Sequence, residues 1–152
     1  MKSRHAAGFT IIEIMIVIGV VALLAALAMP SYRDYILRGK LVEAHSALSD
    51  FRVRQEQFYQ DNRRYDGGGL GGCGAAAPNS KYFTFTCAPG AAPAQTYSAT
   101  ATGIANEGTS GFAFGITDAN VRTTTVTSPA SGNGWSAHSP NDCWVRAKGG
   151  TC

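Results

Sequence analysis

One carboxylate stands inside a long apolar run. Residues 9–29 read FTIIEIMIVIGVVALLAALAM, and Glu13 is their sole charge. As a helix this run spans roughly 30 Å, the thickness of a bilayer's hydrocarbon core. A carboxylate at the centre of such a span costs about 2.5–3.5 kcal/mol, and less near its edge. Glu13 lies about one turn in, where the interface and the positive end of the helix reduce that cost. An acid in this position calls for a partner.

The second set of reactive residues is Cys73, Cys87, Cys143 and Cys152, all after residue 66. An even number in an exported domain points to disulfides. No CxxC and no Cys/His cluster is present, so the sequence calls for neither a metal nor a cofactor. Three pairings exist. Cys73 with Cys87 and Cys143 with Cys152 are expected, because each closes a short loop, contributing about 3 kcal/mol through the unfolded chain. His5, His45 and His138 are widely separated, and no Ser/His/Asp or Cys/His arrangement emerges; the chain does not read as an enzyme. The glycine run that begins at Gly67 lacks the Lys-Ser/Thr ending of a phosphate-binding loop.

The elements that must hold these residues follow from a sharp change in composition. Residues 1–8, MKSRHAAG, are a basic stub ending in Gly8, and the apolar run starts at once. A secretory signal has its cut site after the apolar stretch, and no such site stands here. Read from the residues alone, the stub is the cytoplasmic flank of an uncleaved anchor. Gly8-Phe9-Thr10-Ile11-Ile12-Glu13, with the basic stub before it and the apolar helix after it, closely resembles the type IV pilin and pseudopilin family. Met29-Pro30-Ser31-Tyr32 is similar to its type IVa branch. The resemblance is specific over residues 1–60. It implies that a prepilin peptidase cuts between Gly8 and Phe9 and N-methylates Phe9. It further implies that Glu13 pairs with the Phe9 amine of a neighbouring subunit and so sets register during assembly.

Four segments are expected: a cleaved leader (1–8), a transmembrane and assembly half of a long helix (9–30), an amphipathic half (31–66), and a β-sheet head with a disulfide-closed C-terminal region (67–152). Gly19 and Pro30 are the weak points of the helix, Pro30 because it has no N–H. Ile36, Leu37, Leu41, Ala44, Leu48, Phe51, Phe58 and Tyr59 recur every three or four residues and draw a stripe on which a sheet can sit. Residues 67–79 read as a flexible connection. Alternating segments at 81–87, 95–102, 111–117 and 121–127 predict strands, with Asp118-Ala119-Asn120 as a turn. The fold class is α+β: one long helix packed on a three- to four-stranded antiparallel sheet, the architecture of the pilin family. Trp144, beside Cys143, is expected to pack against its own disulfide loop or to be an exposed contact; the Cys-Trp pair resembles minor pilins of the PilE type.

The function implied is that of a structural subunit, a minor pilin of a type IV pilus serving adhesion or twitching motility. Its partners are other pilin subunits, in a homo- or hetero-filament, the prepilin peptidase and the inner-membrane assembly platform. Its location is the inner membrane as a single-pass precursor, then a pilus on the surface of a Gram-negative bacterium. Two alternatives stay open. One is a pseudopilin of a type II secretion system. The other is a DNA-uptake receptor pilin, with Arg146 and Lys148 as phosphate contacts. The net charge of +3 falls to about +1 without Lys2 and Arg4, a weak electrostatic footprint for nucleic acid.

Overall fold

The structure, a computed structural model, describes residues 9–152; the expectations for the leader and for Gly8 lie outside the described residues. Helix α1 (Ile11–Asn62) is followed by strands β1 (Phe83–Pro89), β2 (Tyr97–Gly103), β3 (Phe112–Thr117) and β4 (Arg122–Val126). The chain divides into two compact units between Ile36 and Leu37.

In the first unit α1 passes through Gly19 and Pro30 without interruption, although Pro30 offers no N–H to the carbonyl one turn back. Residues 9–33 are all exposed. The helix is long and apolar enough to cross a membrane. Leu, Ile and Val exposed on every side of a helix suit lipid or neighbouring helices, since water would leave that apolar area uncovered.

In the second unit the sheet is an antiparallel meander ordered β1-β2-β3-β4. Phe85 pairs with Ala101, Ala101 with Phe114, and Phe114 with Thr124, so one register row crosses the sheet. Alternation puts Phe83, Phe85, Cys87, Tyr97, Ala99, Ala101, Phe112, Phe114 and Ile116 on the buried face. They form one core with Leu41, Ala44, Leu48 and Phe51 of α1. Phe51 and Leu48, both sealed from water, stabilise this packing by about 1.5–3 kcal/mol each.

Three expectations change. The buried stripe takes in His45 and Gln55 and leaves Ile36 exposed. Position 45 lies one turn beyond Leu41 and position 55 one turn beyond Phe51, so both satisfy the helical period that apolarity alone obscured. Next, α1 ends at Asn62, short of residue 66, because Arg63 takes a left-handed φ of 55° while its N–H caps the Tyr59 carbonyl at 2.8 Å. Finally, residues 67–79 are not an open tether. Gly67 and Gly69 donate to Gly72 and Cys73, and the Gln55 side chain donates to Tyr65 and accepts from Ala75. Phe58 lies so close over Gly74 that a Cβ there would enter its ring.

Candidate functional site

The first site sits at the start of α1. Glu13 N–H donates to Thr10 Oγ1 at 3.2 Å, and Thr10 N–H donates to Glu13 Oε2 at 3.5 Å. This reciprocal pair is a capping box: Thr10 is the N-cap and Glu13 the third helical residue. It satisfies two backbone donors that an isolated helix end leaves bare. Phe9 is four-fifths exposed directly before it. The carboxylate is thus held one turn beyond Phe9, with one oxygen engaged by a long hydrogen bond. The capping pattern Thr10-x-x-Glu13 is legible in the sequence.

The second site lies in the other unit, where the C-terminal segment meets α1 and β4. Thr124 N–H donates to Asn141 Oδ1 at 2.8 Å, and Asn141 Nδ2 donates to the Thr124 carbonyl at 3.0 Å. The Asn141 amide thus takes the place of a neighbouring strand at the edge of the sheet. Thr124 Oγ1 donates to the Cys143 carbonyl at 2.8 Å and accepts from Val145 N–H at 3.1 Å. This anchor swings Trp144 inward. Its Nε1 donates to the Gly115 carbonyl at 2.8 Å, and its ring stacks on His45 with centroids 5.2 Å apart. Trp144 is only 6% exposed. It does not stand free as a contact; it couples the C-terminal segment to α1.

Charge concentrates around this ring. The Arg122 guanidinium lies 4.8 Å from the Trp144 centroid, a cation–π arrangement. Val42, His45, Ser46, Ser49 and Arg146 line a cleft of about 290 Å³. His45 is 8% exposed, meets Phe114 edge-on at 4.5 Å, and keeps its Nε2 buried without a hydrogen-bond partner. Burial foremost, then the positive charges of Arg146 and Arg122, pull its pKa down to about 4. Neither His45 nor Arg122 stands out in the sequence as a site residue.

Cys73 and Cys87 are bonded, with Cα atoms 6.2 Å apart, and tie the post-helix turn to β1. Cys143 and Cys152 are bonded with Cα atoms 6.1 Å apart. The loop they close carries Arg146 and Lys148, both exposed. His138 lies beside this second bond, where its Nδ1 meets the Gly150 carbonyl at 2.9 Å. The two sulfurs are joined to each other and so do not present thiolates to a metal.

Residues 3–29 match the prokaryotic N-terminal methylation motif. The fimbrial protein EcpC of Eikenella corrodens is 36% identical over 75 residues, 49% of this chain and 49% of that protein. The type IV major fimbrial protein FimA of Dichelobacter nodosus is 44% identical over 61 residues, 40% of this chain and 38% of that protein. The chain therefore spans half or less of the length of the curated relatives it matches. Among solved structures, the non-core minor pilin PilV of Neisseria meningitidis shares the fold at a TM-score of 0.51 and 15% identity, over 62% of this chain and 92% of that one. Residues 30–132, from the Pro30 turn of α1 through all four strands, match the family described as type IV minor pilin ComP, DNA uptake sequence receptor. The chain belongs to this family of type IV minor pilins.

Proposed function

We propose that the chain is made as a single-pass precursor in the inner membrane, cut between Gly8 and Phe9 by a prepilin peptidase, methylated at Phe9, and assembled with other pilin subunits into a surface filament that serves adhesion or twitching motility. The observation that carries this reading is the fully exposed apolar start of α1, whose one carboxylate, Glu13, is held a turn from Phe9. An apolar helix of this kind moves from lipid to a bundle of like helices with little change in solvation. Pro30 and Gly19 supply the local give that such a transfer needs. The family match through the whole sheet favours a pilus over a secretion-system filament. Mass spectrometry of sheared filaments is expected to show a chain beginning at Phe9 and carrying one extra methyl group. Intact Met1 on assembled subunits would sink the processing step.

A second reading has its own support. The matched family is described as a DNA uptake sequence receptor, and Arg122, Arg146 and Lys148 lie in the C-terminal region of this head. Arginine and lysine side chains bind phosphates with a strength that falls with salt, by about 0.9 in log–log slope for each phosphate neutralised. Gel shifts of the full chain in alkyl maltoside micelles with a short duplex are expected to show a slope of about −2 to −3. Arg146→Gln together with Lys148→Gln should flatten the slope by about 2. An unaltered slope in that variant would move the DNA contact elsewhere on the head.

A further inference from the structure

We propose that the outer face of the sheet, opposite the face that packs on α1, carries a shallow trough along β3 that takes an extended, uncharged polysaccharide chain. The inner strand positions are buried, so alternation sends residues 100 and 102 of β2, 113 and 115 of β3, and 123 and 125 of β4 to the other side. Register joins them in two rungs, Thr102–Ala113–Thr125 and Thr100–Gly115–Thr123. Ala113 and Gly115 form the floor, and threonines stand on both sides of it. The two walls lie two strand spacings apart, about 9.5 Å. Strand propensity accounts for the threonines but not for a floor of Ala and Gly, which weaken a central strand. Glycine inside a strand marks a bulge or a close approach of something to the backbone. Pairing runs through Gly115 on both sides without a bulge, which leaves the close approach.

The chemistry of the face selects the occupant. Every outward strand position of the sheet is Thr, Ser, Ala or Gly. With no lysine or arginine, the face gives a phosphate backbone nothing to pair with. With no aromatic ring, it offers no anchor of the kind that dominates protein interfaces. A second copy laid on it would bury hydroxyls in dry contact, at a cost for each one left unpaired. The buried threonines spend their hydroxyls inside the chain: Thr109 Oγ1 donates to the Tyr82 carbonyl, and Thr124 Oγ1 to that of Cys143. The hydroxyls of Thr100, Thr102, Thr123 and Thr125 have no such partner among the described residues. Thr123 Oγ1 leans over Gly115, where a Cβ would meet it. Each hydroxyl can donate and accept, and each threonine adds a methyl group. A sugar ring matches both, with hydroxyls at its edge and C–H groups on its faces. The rungs repeat along the strand and so suit a repeating chain rather than a single sugar. This inference rests on the adhesion reading above and names the kind of surface gripped.

The test passes the full chain in alkyl maltoside micelles over chitin and cellulose particles and measures the fraction retained. Retention is expected on at least one of the two, unchanged between low and high salt, since no charge takes part. Ala113→Phe should lower it at least about tenfold by filling the floor while every hydroxyl stays. Thr102→Ala together with Thr125→Ala should lower it by a similar factor. Thr84→Ala together with Thr86→Ala, on β1 outside the trough, should leave it unchanged. Tryptophan fluorescence, from the buried Trp135 and Trp144, checks that each variant is folded. Retention that fades with salt, or that Ala113→Phe leaves intact, overturns the trough. So does self-association of the natural chain that Ala113→Phe abolishes, with no retention on either particle, which gives the face to a second copy. Filaments that contain the chain and hold cells to these particles, while the chain itself is not retained, overturn the trough and leave the adhesion reading standing. Retention of the chain, with filaments that hold no cells, keeps the trough and removes the adhesion reading.

Discussion

Replacing Glu13 by Ala or Gln is expected to leave the precursor inserted and cut, yet to lower its share of sheared filaments at least about tenfold. Insertion needs the apolar run and cleavage needs the residues around the cut; neither needs the charge. Docking does, if the Glu13 carboxylate meets the Phe9 amine of a neighbouring subunit. In a low-dielectric bundle, leaving one member of such a pair alone costs several kcal/mol, and 1.4 kcal/mol already corresponds to a factor of ten. The capping box supplies the discrimination. Glu13 also binds Thr10 N–H within its own chain, and that bond survives in Gln but not in Ala. If incorporation fails equally in both variants, the charge is the working part. If Gln assembles normally and Ala does not, Glu13 acts by capping its own helix, and the intersubunit pair is wrong. Glu13→Asp should fall between, since its shorter arm reaches neither partner well. The readout is cleaved, membrane-resident subunit against filament fraction in the same cells.

The anchor and the sheet were legible for different reasons. An unbroken apolar run with one charge has few physical solutions, and the alternation of Phe112, Phe114 and Ile116 fixes which side of a strand faces the core. Asn120, in the turn expected before the last strand, has a left-handed φ of 59° that Asn tolerates better than most residues. The sequence concealed what depends on long-range placement. Gln55 reads as one more polar residue on a charged helix, and only the fold shows it buried between Tyr65 and Ala75. Trp144 reads as part of a small loop, because nothing local reveals that Thr124 and Asn141 aim it at α1. His45 sits in step with Leu41 and Leu48, but a periodic search confined to apolar residues steps over it.

His45 gives the head a specific acid sensitivity. Its pKa is about 4 in the folded head against 6.5 for an ordinary histidine, chiefly through burial and then through Arg146 and Arg122. Between those values the unfolded chain takes up a proton that the folded chain refuses. Stability therefore falls as pH drops from about 6.5 toward 4, and this group contributes no slope above about pH 7. The loss by pH 4 is about 3 kcal/mol, a large share of a small head's stability. The groups packed on His45 from other elements are Phe114 of β3 and Trp144, neither of which titrates here, and the two arginines, which stay charged throughout. Denaturant unfolding followed by tryptophan fluorescence reports this unit alone, because Trp135 and Trp144 both belong to Leu37–Cys152. His45→Phe keeps an aromatic ring against Trp144 and removes the proton site. Relative to that variant, the natural chain should lose about 3 kcal/mol between pH 7 and pH 4 in phosphate-free buffer. The difference cancels the carboxylates, which titrate in both proteins. Parallel pH profiles for the two proteins would mean that water or a counter-ion reaches His45 in the folded head, and that its burial does not control the grip of the C-terminal loop on α1.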